Sequence, residues 1–185
     1  MLINLFKKNL AKTILFFSIS PGRKHKRKEI KEKLAMNNLP LDESLLQLLN
    51  LKIIKKEKNL YFLDVENLVV EQILNEIKDK FAGLSLKVQT ILIESVSEIS
   101  KLRGIKNIIL FGSYAKLIFT EHSDIDLAVI LEKNKKTEKK ILAISEKISE
   151  KYKKNVHINF FDDRELKNKK DSMIKDIRQN GRELI

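Results

Sequence analysis

Two carboxylates, Asp124 and Asp126, lie one residue apart in the segment SDIDLAVIL, which is otherwise largely apolar. In a β-strand, residues i and i+2 point to the same face, so the two side chains project together about 7 Å apart. Neighbouring carboxylates repel, and each raises the pKa of the other. A cation relieves that repulsion, and Mg²⁺ prefers carboxylate oxygens, with substrate phosphates completing its coordination. The pair therefore predicts a divalent-metal site.

The dipeptide Gly112-Ser113 adds a second chemical element, because it directly follows an apolar run. Glycine permits a tight turn and a close approach of the backbone to a ligand. Ser113 then opens a short predicted helix, whose first N–H groups favour phosphate, and its hydroxyl offers a further hydrogen bond. A phosphate-binding turn beside metal-binding carboxylates predicts a site for a nucleoside triphosphate.

The segments that must position these groups alternate between strand and helix over residues 104–185. Apolar runs predict strands in KNIILFG, SDIDLAVILE and NVHINFF. The segment between the last two predicts a helix with Ile141, Ile144, Ile148 and Tyr152 facing inward, and residues 162–181 are predicted to be mostly helical. This alternation predicts an α/β sandwich of a few strands.

The segment FGSYAKLIFTEHSDIDLAVI resembles the signature of minimal nucleotidyltransferases of the DNA polymerase β-type superfamily, in which Gly-Ser precedes Asp-x-Asp at this spacing. The resemblance covers residues 104–161. It implies an α+β palm fold, with a small mixed sheet and helices. It also implies transfer of a nucleoside monophosphate, expected to be AMP, from ATP or another triphosphate to a hydroxyl group.

Carried over by position, the resemblance assigns roles to the quoted residues. Gly112 and Ser113 hold the β- and γ-phosphates, while Asp124 and Asp126 bind Mg²⁺ or Mn²⁺ and are catalytic. Relatives often have Ala-Arg-Gly where this chain has Ala-Lys-Leu. Lys116 keeps a charge that can contact phosphate, whereas Leu117 replaces a glycine and leaves the path of the loop open.

A third carboxylate usually follows on the next strand of active relatives. Here His157 and Asn159 occupy the candidate positions, and neither is acidic. Asp162 and Asp163 come after the strand, and their pattern favours a helix N-cap pair over metal ligands. The sequence therefore predicts weak transfer.

The N-terminal part of the chain predicts a different domain. Helical periodicity over residues 2–18, a helix in KRKEIKEKLAM and a third helix with Asp42 as its N-cap precede a hairpin around residues 56–59. Three helices and a two-stranded wing predict a winged helix-turn-helix-like domain over residues 1–66. Residues 67–103 predict connecting helices, and residues 104–185 the nucleotidyltransferase domain.

The chain has a formal net charge of +12, which favours polyanionic partners unless it only reflects a lysine-rich composition. Residues 1–66 carry 14 Lys and Arg against 7 Asp and Glu. The predicted reading helix, LDESLLQLL, has no side chain suited to base edges, which favours protein contact over sequence-specific DNA binding. Weak contact with nucleic-acid phosphates stays open for one basic cluster: Arg23, Lys24, Lys26, Arg27 and Lys28.

Composition excludes several other classes of chemistry. The chain has no cysteine, so disulfides, thiolate catalysis and Cys-based zinc sites are excluded, and a cytoplasmic location is expected. Its three histidines are scattered. No apolar run approaches the roughly 20 residues that span a bilayer, so no membrane partner is expected.

Three functional hypotheses remain at this point. The leading one is a Mg²⁺-dependent nucleotidyltransferase that acts on a protein or a small molecule. The second is a regulatory module with an inactive palm that binds nucleotide or nucleic acid. The third follows from the resemblance, since such minimal enzymes are often antitoxins of small helical HEPN-like toxins.

Overall fold

The structure is a computed structural model that describes residues 7–132, 134–168 and 171–185. The chain divides into two compact units, Met1–Ile93 and Glu94–Ile185. The start of the helix predicted over residues 2–18 lies outside the described residues. Within the described ranges, no helix is both long enough and apolar enough to cross a membrane.

The first unit combines helices with a small antiparallel sheet, in which β3 (Leu60–Leu63) lies between β1 (His25–Lys26) and β2 (Ile54–Glu57). The sheet's hairpin turns at Lys58, as the sequence predicted for residues 56–59. In chain order the elements are α1 (Lys8–Ser18), β1 (His25–Lys26), α2 (Arg27–Leu34), α3 (Asn38–Asn50), β2 (Ile54–Glu57), β3 (Leu60–Leu63), α4 (Leu68–Phe81) and the start of α5 (Leu86–Ile99).

Helix α3 begins earlier than the sequence predicted. Its N-cap residue is Asn37, and Pro40 lies in the first turn, where the missing N–H of proline has no helical partner to lose. Asp42 lies inside the helix and accepts two hydrogen bonds from Arg27, at 2.6 and 2.8 Å. The predicted N-cap at Asp42 is therefore wrong, because a proline in the first turn does not break a helix.

The second unit contains a four-stranded mixed sheet in the order β6 (Val156–Phe161), β5 (Ile125–Leu131), β4 (Ile105–Phe111) and β7 (Arg182–Glu183). Strands β5 and β6 are parallel and are joined by α7 (Lys135–Tyr152), while β4 runs antiparallel to both of its neighbours. After α5, the elements are β4 (Ile105–Phe111), α6 (Gly112–Lys116), β5 (Ile125–Leu131), α7 (Lys135–Tyr152), β6 (Val156–Phe161), a 3₁₀ turn (Glu165–Lys167), α8 (Ser172–Asn180) and β7 (Arg182–Glu183).

The two faces of this sheet have different characters. One face is uniformly apolar and buried, since the odd-numbered residues of β5 from 125 to 131 are 0–1% exposed. On the opposite face, Ile177 of α8 packs with Ile109, Ala128 and Ile130. Helix α8 thus covers the later part of β5 on this second face. The beginning of β5, where Asp126 lies, remains partly exposed.

Candidate active site

The beginning of β5 positions the two carboxylates. Ile125 and Leu127 are 0% exposed, whereas Asp124 is exposed and Asp126 is partly exposed. Because side chains alternate along a strand, buried Ile125 and Leu127 place Asp126 on the partly open face, while Asp124 directly precedes the strand and its charge acts on Asp126. Burial raises the pKa of Asp126, the His157 contact counteracts this rise, and the negative charge of Asp124 adds to it. A nearby cation would stabilise this pair in its ionised form.

Gly112 brings the backbone of the preceding strand against Asp126. Strands β4 and β5 pair with Phe111 opposite Asp126, so the chain turns into α6 beside that carboxylate. Gly112 has a φ of +70°, and a Cβ atom at this position would lie 2.5 Å from Asp126 Oδ2. The conformation favours glycine, and any larger residue would also force the Asp126 carboxylate to move. The Gly-Ser element and the carboxylate pair therefore meet in one place.

Ser113 lies in the first turn of α6 and is partly exposed. Buried Tyr114 anchors this short helix, and its ring stacks on that of Phe119 with centroids 4.3 Å apart. Leu117 ends the helix in the left-handed conformation, with a φ of +60°. Leucine here adopts a conformation that glycine takes more readily, which explains the glycine of relatives at this position.

Lys116 pairs with Asp176 on α8, where its Nζ lies 3.2 and 3.3 Å from the two carboxylate oxygens. Asp176 also accepts a hydrogen bond from the Asn180 side chain, at 2.8 Å. Burial acts to raise the pKa of Asp176, but the contacts with Asn180 and Lys116, together with the backbone N–H of Gly112, outweigh burial and lower it. The sequence analysis missed Asp176, because no motif marks a single acid on a C-terminal helix.

Strand register separates the two candidates on β6. His157 pairs with Asp126, and its Nδ1 lies 3.5 Å from Asp126 Oδ1. Asn159 pairs with Ala128, which lies two residues further along β5 than Asp126. His157 is therefore the residue that occupies the position next to Asp126, and its side chain is 61% exposed.

Asp162 and Asp163 lie at the other end of β6. Both follow Phe161, the last residue of β6, and four strand steps separate Phe161 from His157, which is about 13 Å. Asp162 accepts hydrogen bonds from the backbone N–H groups of Arg164 and Glu165, as a capping residue does. Asp163 accepts a hydrogen bond from Lys106 at 2.6 Å. Both acids thus have local structural roles away from Asp126.

The residues present fit a divalent cation that is shared with substrate. Within the described ranges, no group of three or more His, Cys, Asp or Glu side chains has a metal-binding arrangement. Asp124 and Asp126 offer hard oxygen ligands, and the absence of a side chain at Gly112 leaves room for the Asp126 carboxylate. Mg²⁺ is suited to such a site, because it needs only one or two carboxylates when phosphates and water complete its octahedron.

The basic cluster of the first unit is largely engaged within the chain. Arg23 donates to Glu29 at 2.8 Å, Lys24 pairs with Glu57, and Arg27 binds Asp42. Of the five basic residues considered for phosphate contact, these three already have carboxylate partners. The remaining two are exposed: Lys26 and Lys28.

Fold and site together have the character of a nucleotidyltransferase palm: a mixed sheet, a Gly-Ser turn and a carboxylate pair that converge at one end. The family described as polymerase beta, nucleotidyltransferase matches residues 93–185. The chain belongs to this family, and both the predicted resemblance and the predicted fold class are confirmed. A comparison with curated proteins found no match.

Proposed function

We propose that the chain transfers AMP from ATP, or another nucleoside monophosphate from its triphosphate, to a hydroxyl group of a protein or small molecule. Family membership supports nucleotidyl transfer in general. The observation that carries the finer proposal is the contact between Gly112 and Asp126, so close that a Cβ would lie 2.5 Å from Oδ2. This contact supports a triphosphate bound by the Gly-Ser turn with its α-phosphate beside the carboxylates.

Each residue of the site has a distinct role in this proposal. Gly112 and Ser113 hold the β- and γ-phosphates, and Asp124 and Asp126 would hold Mg²⁺ or Mn²⁺, which neutralises phosphate charge. The acceptor oxygen attacks the α-phosphorus, the bond from the α-phosphorus to its bridging oxygen breaks, and pyrophosphate leaves. The hydroxyl proton passes to water, because no carboxylate occupies position 157.

The proposed activity is weak. A positioned general base contributes about 10² to 10⁴ in rate, and His157 stands where active relatives usually carry an acid. The presence of His157 at this position also supports the second candidate function, which is a catalytically weak or inactive regulator or an antitoxin-like module. Such a module binds nucleotide and a partner protein such as a HEPN-like toxin.

The test is incubation with cell extract, Mg²⁺ and ATP labelled at the α-phosphate. We expect slow labelling of an acceptor by the wild type, and no labelling above background by Asp126→Asn or Asp124→Asn. The size of the labelled product distinguishes a protein acceptor from a small molecule. If no triphosphate, metal or extract gives labelling, the regulatory function replaces the enzymatic one.

We also propose that residues 1–66 form a winged-helix domain. Its support is the order of the three helices and the hairpin, with β1 added to the hairpin's sheet. Leu39 and Leu46 are 70% and 60% exposed on α3, the helix that would enter a DNA groove, which favours contact with protein. Any nucleic-acid binding is therefore weak, non-specific and due to phosphate contacts.

This proposal predicts a salt-dependent affinity for duplex DNA. Replacing both Lys26 and Lys28 with Gln should lower the slope of log affinity against log salt by about two units, one for each lost contact. Lys147→Gln, an exposed change on α7, is the matched control and should leave the slope unchanged. A flat salt dependence of the wild type, or a strong preference for one DNA sequence, would contradict the proposal.

A further inference from the structure

Asp176 engages Lys116, the lysine whose charge the resemblance makes available to a phosphate. Its carboxylate oxygens lie 3.2 and 3.3 Å from Lys116 Nζ, and the backbone N–H of Gly112 also lowers the pKa of the carboxyl group. A carboxylate and a phosphate make the same kind of contact with a lysine, since both are anionic oxygen acceptors. The two anions therefore require the same partner.

The position of Asp176 is set by its own helix. Ile174 and Ile177 on either side of it are each 3% exposed and anchor α8, while Asn180, one turn later, donates to the carboxylate at 2.8 Å. The Asp176 side chain is 25% exposed, and that of Lys116 is 35% exposed. The Lys116 side chain can thus leave Asp176 and bind a phosphate without disrupting the core. The backbone of Asp176 stays in place because α8 is anchored.

We propose that Asp176 competes with the triphosphate for Lys116, and thereby limits nucleotide affinity. The inference rests on the proposed function. The lowered pKa of Asp176 means that this carboxyl group is ionised at neutral pH, so its negative charge also repels the phosphates. A role as a third metal ligand is less suitable, because within the described ranges no group of three acidic or histidine side chains is arranged to hold a metal.

Calorimetric titration with ATP and Mg²⁺ tests the inference without any need for turnover. Asp176→Asn keeps the shape and an oxygen acceptor for the Asn180 side chain but removes the charge. We expect it to bind ATP about tenfold more tightly than the wild type, as loss of one contact-range unit charge implies. Asp176→Glu retains the charge and should stay within about twofold of the wild type, since the same repulsion remains.

The matched control is Glu146→Gln, which removes one negative charge from an exposed position on α7. It should leave ATP affinity unchanged, so that a tighter Asp176→Asn complex cannot be ascribed to net charge. Thermal unfolding of each variant confirms that it is folded. Should Asp176→Asn not fold, Asp176→Ser removes the same charge and carries the same expectation.

Equal or weaker ATP binding by a folded Asp176→Asn variant would overturn the inference, since Asp176 would then be a support for the loop and not a competitor. In that case wild-type binding leaves the proposed function intact. If neither the wild type nor any variant binds ATP with Mg²⁺, the proposed function itself fails. The two failures are therefore distinguishable in one set of titrations.

Discussion

The two strands that meet at the candidate site, β5 and β6, contribute in unequal ways. On β5, Asp126 lies between fully buried neighbours and against the backbone of Gly112. On β6, His157 projects a side chain that is 61% exposed and contacts Asp126 at 3.5 Å. The core fixes the position of Asp126 on β5, whereas the exposed His157 on β6 can be replaced with little loss of stability. We therefore expect changes on β5 to alter nucleotide binding and changes on β6 to alter turnover.

The largest expected effect comes from restoring an acid on β6. His157→Asp places a carboxylate opposite Asp126 and should raise the transfer rate about 100-fold, the lower end of what a general base contributes. The measurement is the initial rate of label transfer from α-labelled ATP. Asn159→Asp is the matched control, because residue 159 pairs with Ala128, and it should leave the rate within about threefold.

Two outcomes would contradict the prediction for His157→Asp. Equal gains from both variants would mean that the strand register does not determine the effect. A wild type that already reaches the rate of His157→Asp would mean that another group, such as one on the acceptor, supplies the base.

A smaller effect is expected on the β5 side, where Gly112→Ala inserts a methyl group 2.5 Å from Asp126 Oδ2. Because the carboxylate must move, affinity for ATP with Mg²⁺ should fall at least about tenfold, the loss of one charge-assisted contact. Gly104→Ala is the control, since Gly104 also has a positive φ, of +87°, but open space around its Cβ position.

Backbone strain alone should lower the free energy of unfolding of both variants by about 1 kcal/mol. Only Gly112→Ala should also lose ATP affinity in the calorimeter. An equal loss of ATP affinity in both variants would show that backbone strain, and not the contact with Asp126, explains the preference for glycine at position 112.

The smallest expected effect concerns the end of α6. Leu117→Gly relieves a left-handed leucine and should raise the free energy of unfolding by up to about 1 kcal/mol, with ATP affinity unchanged within twofold. Denaturant unfolding measures the first quantity. Lys153→Gly, at the left-handed end of α7, should stabilise similarly. A large change in ATP affinity for Leu117→Gly would mean that leucine determines the path of the phosphate loop.

Much of the second unit could be predicted because its signals are local. Alternation along the predicted strand placed Asp126 on the partly open face, although β5 begins only at Ile125, after Asp124, and the apolar run before Gly112 located the turn. The choice between His157 and Asn159 could not be made, since both have the same parity and only the register decides. Strand β7 and Asp176 were missed for a similar reason: a two-residue strand and a single acid have no periodicity. These features arise from tertiary pairing of the C-terminal segment.

The central proposal is that Gly112, Asp124 and Asp126 bind a triphosphate together with a divalent cation. Calorimetry of ATP binding in Mg²⁺, in EDTA and with Asp126→Asn measures this claim directly. Loss of a charged ligand costs at least about 2 kcal/mol, so we predict at least about thirtyfold weaker binding both in EDTA and in the variant. Equal ATP affinity under all three conditions would contradict the account.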